Sequence, residues 1–442
     1  MKRGELLLII CILAIAAGVR LYHIETVPGL HAAEAAQGVA IITGQASDTV
    51  FSRLQSWSID LVGTTAMALR LPAVIAGILT VLGVYLLARR LYDNREIAAL
   101  AALLTAAGFW HITLSRVGMA TAMPAFWATW GFYYLYKGIE THRLWHWGLA
   151  GALLGVGVLT TPLFWAVIAA AALAVIAWWW GMRTAFNDEK FAFARHQAWG
   201  GILAMVGILV LVILPFLSQR AVRPSDVPLA GQPLFFWGVS AFLVAGILHT
   251  LWRAWQDLRH RGYPGVPHVL LLGWFGFALW AHELVLAIPA AYLFAGVGLH
   301  WLAVWMRRWY TLRDKHVICL PFERFAGRHC VGEGTLIVAL AVLALLLAVG
   351  VVDVERYFQD WSASPAVLAA FPADVHAAAD DIKAMAPAII KYVVTDEPDA
   401  VQYLSGTITT EDQQRLHVTY LNEATFLRTP VRKGVVVIKL EH

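Results

Sequence analysis

Residues 334–352 read G-T-L-I-V-A-L-A-V-L-A-L-L-L-A-V-G-V-V without a single charge, and Asp353–Val–Glu–Arg356 follows at once. A helix of that length rises about 28 Å, close to the roughly 30 Å of bilayer hydrocarbon. The run reads as a membrane span and its sharp edge as the end of a membrane domain. Beyond the edge, residues 353–442 hold 8 Lys and Arg against 13 Asp and Glu, whereas residues 1–352 hold 25 against 16. The reading is a transmembrane domain over 1–352, followed by a small acidic α/β domain over 353–442.

Working back from that run, ten more apolar segments of spanning or nearly spanning length precede it. They cover 5–22, 66–88, 96–114, 119–136, 146–162, 163–181, 200–218, 234–252, 267–281 and 284–304. The chain of 442 residues is 60% hydrophobic and 14% charged, against roughly 25% charged in soluble domains. That deficit excludes an ordinary soluble protein. A net charge of +4 is too dilute for a phosphate-tracking surface, so no nucleic-acid partner is expected. The fold class is an α-helical polytopic membrane protein of about 11 spans.

Lys and Arg set the expected orientation. With the N-terminus inside, 19 of the 25 basic residues of 1–352 fall in inside loops, leaving Arg20, Arg53, Arg70, Arg116, Arg220 and Arg223 outside. The protein is therefore expected in the cell membrane, N-terminus cytoplasmic and C-terminal domain extracytoplasmic. The first run follows Lys2–Arg3 like a signal peptide, but Arg20, Tyr22 and His23 follow it instead of a small-residue cleavage site, so it reads as a retained span. Trp145/Trp147, Trp178–Trp180, Trp252/Trp255 and Trp301/Trp305/Trp309 fall at inside boundaries and read as interfacial anchors.

Three cysteines, Cys11, Cys319 and Cys330, do not form an exported disulfide framework. His316, Cys319, His329 and Cys330 offer zinc ligand types in one loop, although adjacent His329 and Cys330 aim poorly at one tetrahedral ion. In the C-terminal domain Asp374–Met385 has helical spacing. Lys391–Thr395, Leu416–Leu421 and Gly434–Leu440 read as strands.

The chemistry-bearing stretch is the first outside loop, with Val27–Pro–Gly–Leu–His31–Ala–Ala–Glu34–Ala–Ala–Gln37–Gly38 and, further on, Ala68–Leu–Arg70–Leu–Pro72–Ala73. Together with Phe109–Trp–His111–Ile–Thr–Leu–Ser115–Arg116, Leu153–Thr160, Ala287–Tyr292 and Tyr357–Trp361, these segments resemble the GT-C superfamily. Its members are polyprenyl-phosphate-sugar-dependent glycosyltransferases, among them protein O-mannosyltransferases and bacterial aminoarabinose transferases. The resemblance implies a sugar donor on a lipid carrier, a carboxylate base for the acceptor and cations for the carrier phosphate. It also marks departures. Ala33 stands where the family has the Asp of an Asp–Glu pair, leaving Glu34. Met119–Ala120–Thr121 and Trp165 stand where arginines are common, and Glu283 where a basic residue is usual.

The candidate residues are Glu34 as base, with Arg70, Arg116 and His31 as contacts for the carrier phosphate. Asp48 and Asp60 are the other outer-loop acids, and Asp60 reads as the polar face of an interfacial helix. No cofactor is expected; the alternative is a divalent ion near Glu34, shared with His31, His111 and His282. Glu283 is positioned to pair with Arg116 or Arg70, turning a ligand site into an internal salt bridge. The losses imply a catalytically degenerate GT-C homologue acting as a scaffold or partner subunit, in contact with membrane lipid or a polyprenyl-phosphate carrier and with protein subunits. The alternative is an active transferase with Glu34 as base; a transporter or flippase would need more ionisable residues at mid-membrane.

Overall fold

The computed structural model describes residues 3–47, 49–185, 188–213, 237–281, 284–311, 317–319, 330–372, 374–431 and 434–440. Among the described residues, each of the eleven apolar runs is largely helical. After α1 (Arg3–Leu21), two short helices, α2 (Ala32–Ile42) and α3 (Val50–Val62), fill the first loop. Then come α4 (Ala66–Tyr92), α5 (Arg95–Ala107), α6 (Phe109–Arg116), α7 (Met123–Thr141), α8 (Leu144–Thr160), α9 (Trp165–Ala185) and α10 (Asp188–Ile213). The series continues with α11 (Trp237–Arg261), α12 (Val266–Trp280), α13 (Leu284–Thr311) and, after a two-stranded pair β1 (Val317–Cys319) and β2 (Cys330–Gly332), with α14 (Glu333–Glu355). The chain is a polytopic membrane protein. Among the described residues, five helices are long and apolar enough to cross a bilayer unaided, or six with α5 and α6 as one bent span.

The expected span 96–114 is broken. Its two halves, α5 and α6, meet at Gly108 with a 55° bend. Gly108 takes an extended conformation, and a Cβ there would overlap the Tyr292 ring and hydroxyl of α13. The bend aims His111, Ser115 and Arg116 into the protein, where all three are buried. α4 forms the centre of the bundle, packing on α1, α3, α5 and α7. Two expected anchors are instead core residues: Trp147 and Trp178 are buried with ring centroids 5.4 Å apart, and Gly138 and Gly201 make room for the Trp147 indole. Trp145, Trp252, Trp255, Trp301 and Trp305 are exposed, as anchors should be.

α3 is built inside out. Ser52, Gln55 and Ser58 are buried, while Val50, Trp57 and Leu61 are exposed, Leu61 by 81%. Asp60 is exposed on the same helix. Only three residues separate α3 from α4, so its end lies within about 11 Å of a span end. An apolar outer face there fits the interfacial layer of the bilayer.

The C-terminal unit continues α14 through a π-helical turn at Arg356–Trp361. It contains α15 (Pro365–Ala370), α16 (Asp374–Ala384), β3 (Lys391–Val394), α17 (Asp399–Ser405), α18 (Thr410–Leu416), β4 (Val418–Leu421), α19 (Glu423–Phe426) and β5 (Val436–Lys439). All three expected strands form, paired in parallel in the order β4-β3-β5, with Tyr392 beside Thr419 and Val437. Helical crossovers permit that parallel arrangement. The unit rests on the first loop: Val375, Ile382, Val401 and Tyr403 form one buried cluster with Leu30, Ala35, Ala66 and Leu69. At Gly38 a Cβ would lie 2.6 Å from the Tyr403 ring, and the Tyr403 hydroxyl donates to the Thr65 carbonyl at 3.3 Å. The contact needs glycine.

Candidate functional site

The loop between α1 and α2 folds back over the ends of α4 and α6. His31 caps α2: its Nδ1 accepts the Ala33 N–H at 3.0 Å, and its ring lies edge-on to Phe371 at 5.0 Å. Burial, only partly opposed by the Glu34 and Glu397 carboxylates, pushes His31 below the usual histidine value. The neutral ring therefore serves as the cap acceptor, a use of histidine that fills the N-cap role of Ser or Asp.

Three residues on, Glu34 is fully buried. Its Oε2 accepts from Arg70 Nε at 3.1 Å and Nη2 at 3.0 Å, and its Oε1 accepts from the Gly118 N–H at 2.8 Å. Gln55 of α3 holds the same corner, its Nε2 donating to the carbonyls of Leu69 and Gly118 at 3.0 and 2.9 Å. A Cβ at Gly118 would stand only 3.0 Å from the Leu69 carbonyl, so a larger residue there would crowd α4.

Arg70, in the first turns of α4, completes its bonding with backbone. Nη1 donates to the carbonyls of Ile24 at 2.7 Å and Pro28 at 3.0 Å, and Nη2 also reaches that of Gly29. A guanidinium has five N–H groups, and all five of Arg70 are used inside the chain. The same holds for Arg116. Its Nε donates to the Tyr357 hydroxyl at 3.0 Å, Nη1 to the carbonyls of Val19 and Arg20, and Nη2 to those of His23 and Val27. The guanidinium also lies over the rings of Tyr357 and Phe358, 5.2 and 4.8 Å from their centroids.

A third arginine belongs to the group. Arg20, in the last turn of α1, is fully buried; its Nη1 donates to Ala16 and Ala106 carbonyls and its Nη2 to the Thr105 carbonyl and His111 Nδ1 at 2.6 Å. The Gly108 bend leaves the last carbonyls of α5 without helical partners, and Arg20 supplies them. Arg116 does the same at the end of α1. Cations at helix C-termini also complement the helix dipole. From the sequence, Arg20 is an outside charge at the end of the first span and not a site residue. Its position within an apolar run was the available signal, because a charge there needs a buried partner.

Ala33 is half-buried against an apolar cluster that contains Met119, Phe109, Tyr357, Trp361 and Phe371. Two of the positions where the family resemblance expects charge, Ala33 and Met119, thus meet in one apolar patch. Trp165 does not join them and is 54% exposed. Glu283, His282 and Asp48 lie outside the described residues, as do His316 and His329 and the side chains of Cys319 and Cys330. Arg70 pairs with Glu34 at 3.0 Å; the pairing expected of Glu283 lies outside the described residues. Among the described residues no three His, Cys, Asp or Glu side chains are grouped to hold a metal. His31, Glu34 and His111 each bond elsewhere, to Ala33, Arg70 and Arg20.

The whole-chain architecture matches solved structures. ArnT from Cupriavidus metallidurans bound to undecaprenyl phosphate superimposes with a TM-score of 0.54 at 15% identity, over 97% of this chain and 91% of that one. The chain has the GT-C fold. The oligosaccharyltransferase of Archaeoglobus fulgidus tethered with an acceptor peptide matches this chain at 14% identity and TM-score 0.54, over 92% of it. The chain spans 63% of that enzyme's length. A second structure of the archaeal enzyme, with an inhibitory peptide and a dolichol-phosphate, gives 13% identity and TM-score 0.55, covering 95% of this chain and 69% of that one. Residues 49–218 match the family model for dolichyl-phosphate-mannose-protein mannosyltransferase, a stretch that includes Arg70 and Arg116 and begins after Ala33 and Glu34. No curated protein sequence matches the chain.

Proposed function

We propose that this GT-C protein no longer transfers sugar by the route its fold implies and serves as a membrane scaffold or partner subunit. The observation that carries the reading is saturation. Every N–H of Arg70 and Arg116 is spent on Glu34, Tyr357 and backbone carbonyls. Both oxygens of Glu34 are engaged as well. A base must reach the acceptor proton, and a phosphate clamp must present donors to phosphate. Ala33 and Met119 support the same reading, since neither side chain takes a proton or holds a phosphate. The basic inside loops support a cytoplasmic N-terminus and an extracytoplasmic C-terminal unit in the cell membrane.

The second reading is an active transferase with Glu34 as base, working on a sugar from a polyprenyl-phosphate carrier. Its support is the near-complete overlap with a structure solved with undecaprenyl phosphate. It requires Glu34 to leave Arg70 and Gly118, and the C-terminal unit to lift from α2. The deciding experiment reconstitutes the full chain in liposomes with undecaprenyl phosphate and measures carrier binding and sugar transfer to the outside. Saturable carrier binding lost in Arg116→Ala, or transfer lost in Glu34→Gln, would overturn the scaffold reading.

A further inference from the structure

A cleft of about 590 Å³ opens at the other end of the bundle, lined by Glu5, Tyr85, Arg89, Arg90, Asp93, Arg95, Tyr133 and Glu140. Arg70 and Arg89 are nineteen positions apart on α4, about 28 Å along the helix. The cleft therefore faces the leaflet opposite to α2 and the C-terminal unit. Aromatic and basic side chains mark headgroup depth there: Lys137 lies over the rings of Tyr133, Tyr134 and Trp145 at 5.5 to 5.8 Å. Beside Glu5, Leu6, Leu7, Leu8 and Ile10 of α1 are exposed, an apolar path for acyl chains.

These arginines differ from those at the first loop. Arg89 uses Nε toward Glu5 and Nη1 toward Asp93, Arg90 uses Nη1 toward Glu140 at 3.1 Å, and Arg95 uses Nη2 toward Glu5 at 3.4 Å. Arg90 and Arg95 are 44% and 43% exposed. Each keeps N–H groups that a phosphate can take. Three carboxylates face the same space, so three positive and three negative charges balance across the lining. A polyanion would meet those carboxylates; a group carrying a phosphate and an ammonium together would satisfy both signs. Cavities of a few hundred cubic ångströms suit a ligand of that size.

We propose that this cleft binds a phosphate–amine zwitterion, presented as an aminophospholipid headgroup: phosphate on Arg90 and Arg95, ammonium on Glu140 and Asp93. Native mass spectrometry of the full chain in mild detergent tests it, with phosphatidylethanolamine, phosphatidylcholine and phosphatidylglycerol added in turn. Phosphatidylethanolamine should be retained on the order of tenfold better than the other two, which lack ammonium N–H donors. Arg90→Gln and Glu140→Gln, both at the open rim, should each lower that retention by about tenfold. Soluble O-phosphoethanolamine separates the sources: displacement at equal affinity supports the chemistry with a free headgroup, and failure to displace supports the lipid. Equal retention of all three lipids, or unchanged retention in both variants, would overturn the proposal.

Discussion

Replacing Glu34 by Gln is the sharpest perturbation, because the two readings of the site give it opposite signs. As a structural residue, Glu34 neutralises a guanidinium that is itself fully buried, and the pair is 3.0 Å apart. Removing one partner of such a pair costs about 3–5 kcal/mol, because the other charge stays buried and uncompensated. Gln keeps one oxygen for Arg70 but turns an N–H group toward the Gly118 N–H, losing that bond. The lower end, about 3 kcal/mol, is therefore expected. Arg70→Met should be worse, since it also strips the donor from the carbonyls of Ile24, Pro28 and Gly29. The double variant should be no worse than Arg70→Met alone, giving a coupling energy of about 3 kcal/mol. Titrated unfolding in mixed micelles, followed by tryptophan fluorescence, reads these differences, and the melting midpoint should fall on the order of 5 °C for Glu34→Gln. A catalytic carboxylate behaves differently: sites built for activity sacrifice stability, and neutralising their charges commonly raises it. A Glu34→Gln variant as stable as the parent, or more so, would refute the structural assignment.

Three further outcomes follow from the same geometry. Folded-state burial lowers His31, so its stabilising neutral form is complete above the ordinary histidine value of about 6.5. Stability should then fall as pH drops through that value toward the lowered one; His31→Asn, which keeps a cap acceptor, should flatten this slope between about pH 7 and 5 in denaturation curves. Gly38→Val should force the Tyr403 ring away, costing about 1–3 kcal/mol and speeding limited proteolysis between α14 and α16. A spin label at Leu61→Cys in a cysteine-free chain should be more accessible to oxygen than to a polar relaxant; the reverse would place the α3 outer face in water.

Most of the architecture is legible because it follows from apolar length. The apolar runs are helical wherever they are described, and the strands at 391, 418 and 436 are short β-branched stretches. What escaped was the geometry that depends on contact. The Gly108 break cannot be read from hydropathy, since Phe109–Leu114 stays mostly apolar through the bend; the cause is the Tyr292 side chain, 184 positions away in sequence. Trp147 looks like an anchor because it sits among boundary residues, and is core because two glycines from other helices make room for it. At the first loop the sequence could name Glu34, Arg70 and Arg116 as a group. It could not show that they bond to one another and to backbone, because carbonyl partners leave no mark in residue type.

The three buried arginines are held mainly by backbone carbonyls. Arg20, Arg70 and Arg116 are three buried positive charges, and among the described residues only Arg70 bonds a carboxylate, that of Glu34. Buried guanidinium groups are retained only when their donors are met. Here helix-end and loop carbonyls meet most of them, at Val19, Arg20, Ile24, Val27, Pro28, Gly29, Thr105 and Ala106, while Arg20 Nε has no partner among the described residues. For a carrier phosphate to bind at Arg116, at least two of these bonds must break. Hydrogen bonds to charged groups contribute about 1.5–3 kcal/mol each, so the loss is about 3–6 kcal/mol. That weakens carrier binding by roughly 10² to 10⁴ unless phosphate replaces every bond it displaces. The same bonds pin the first loop to α1, α4 and α6, and so carry the surface on which the C-terminal unit rests. The charges of Arg20, Arg70 and Arg116 thereby join the first loop to its helices.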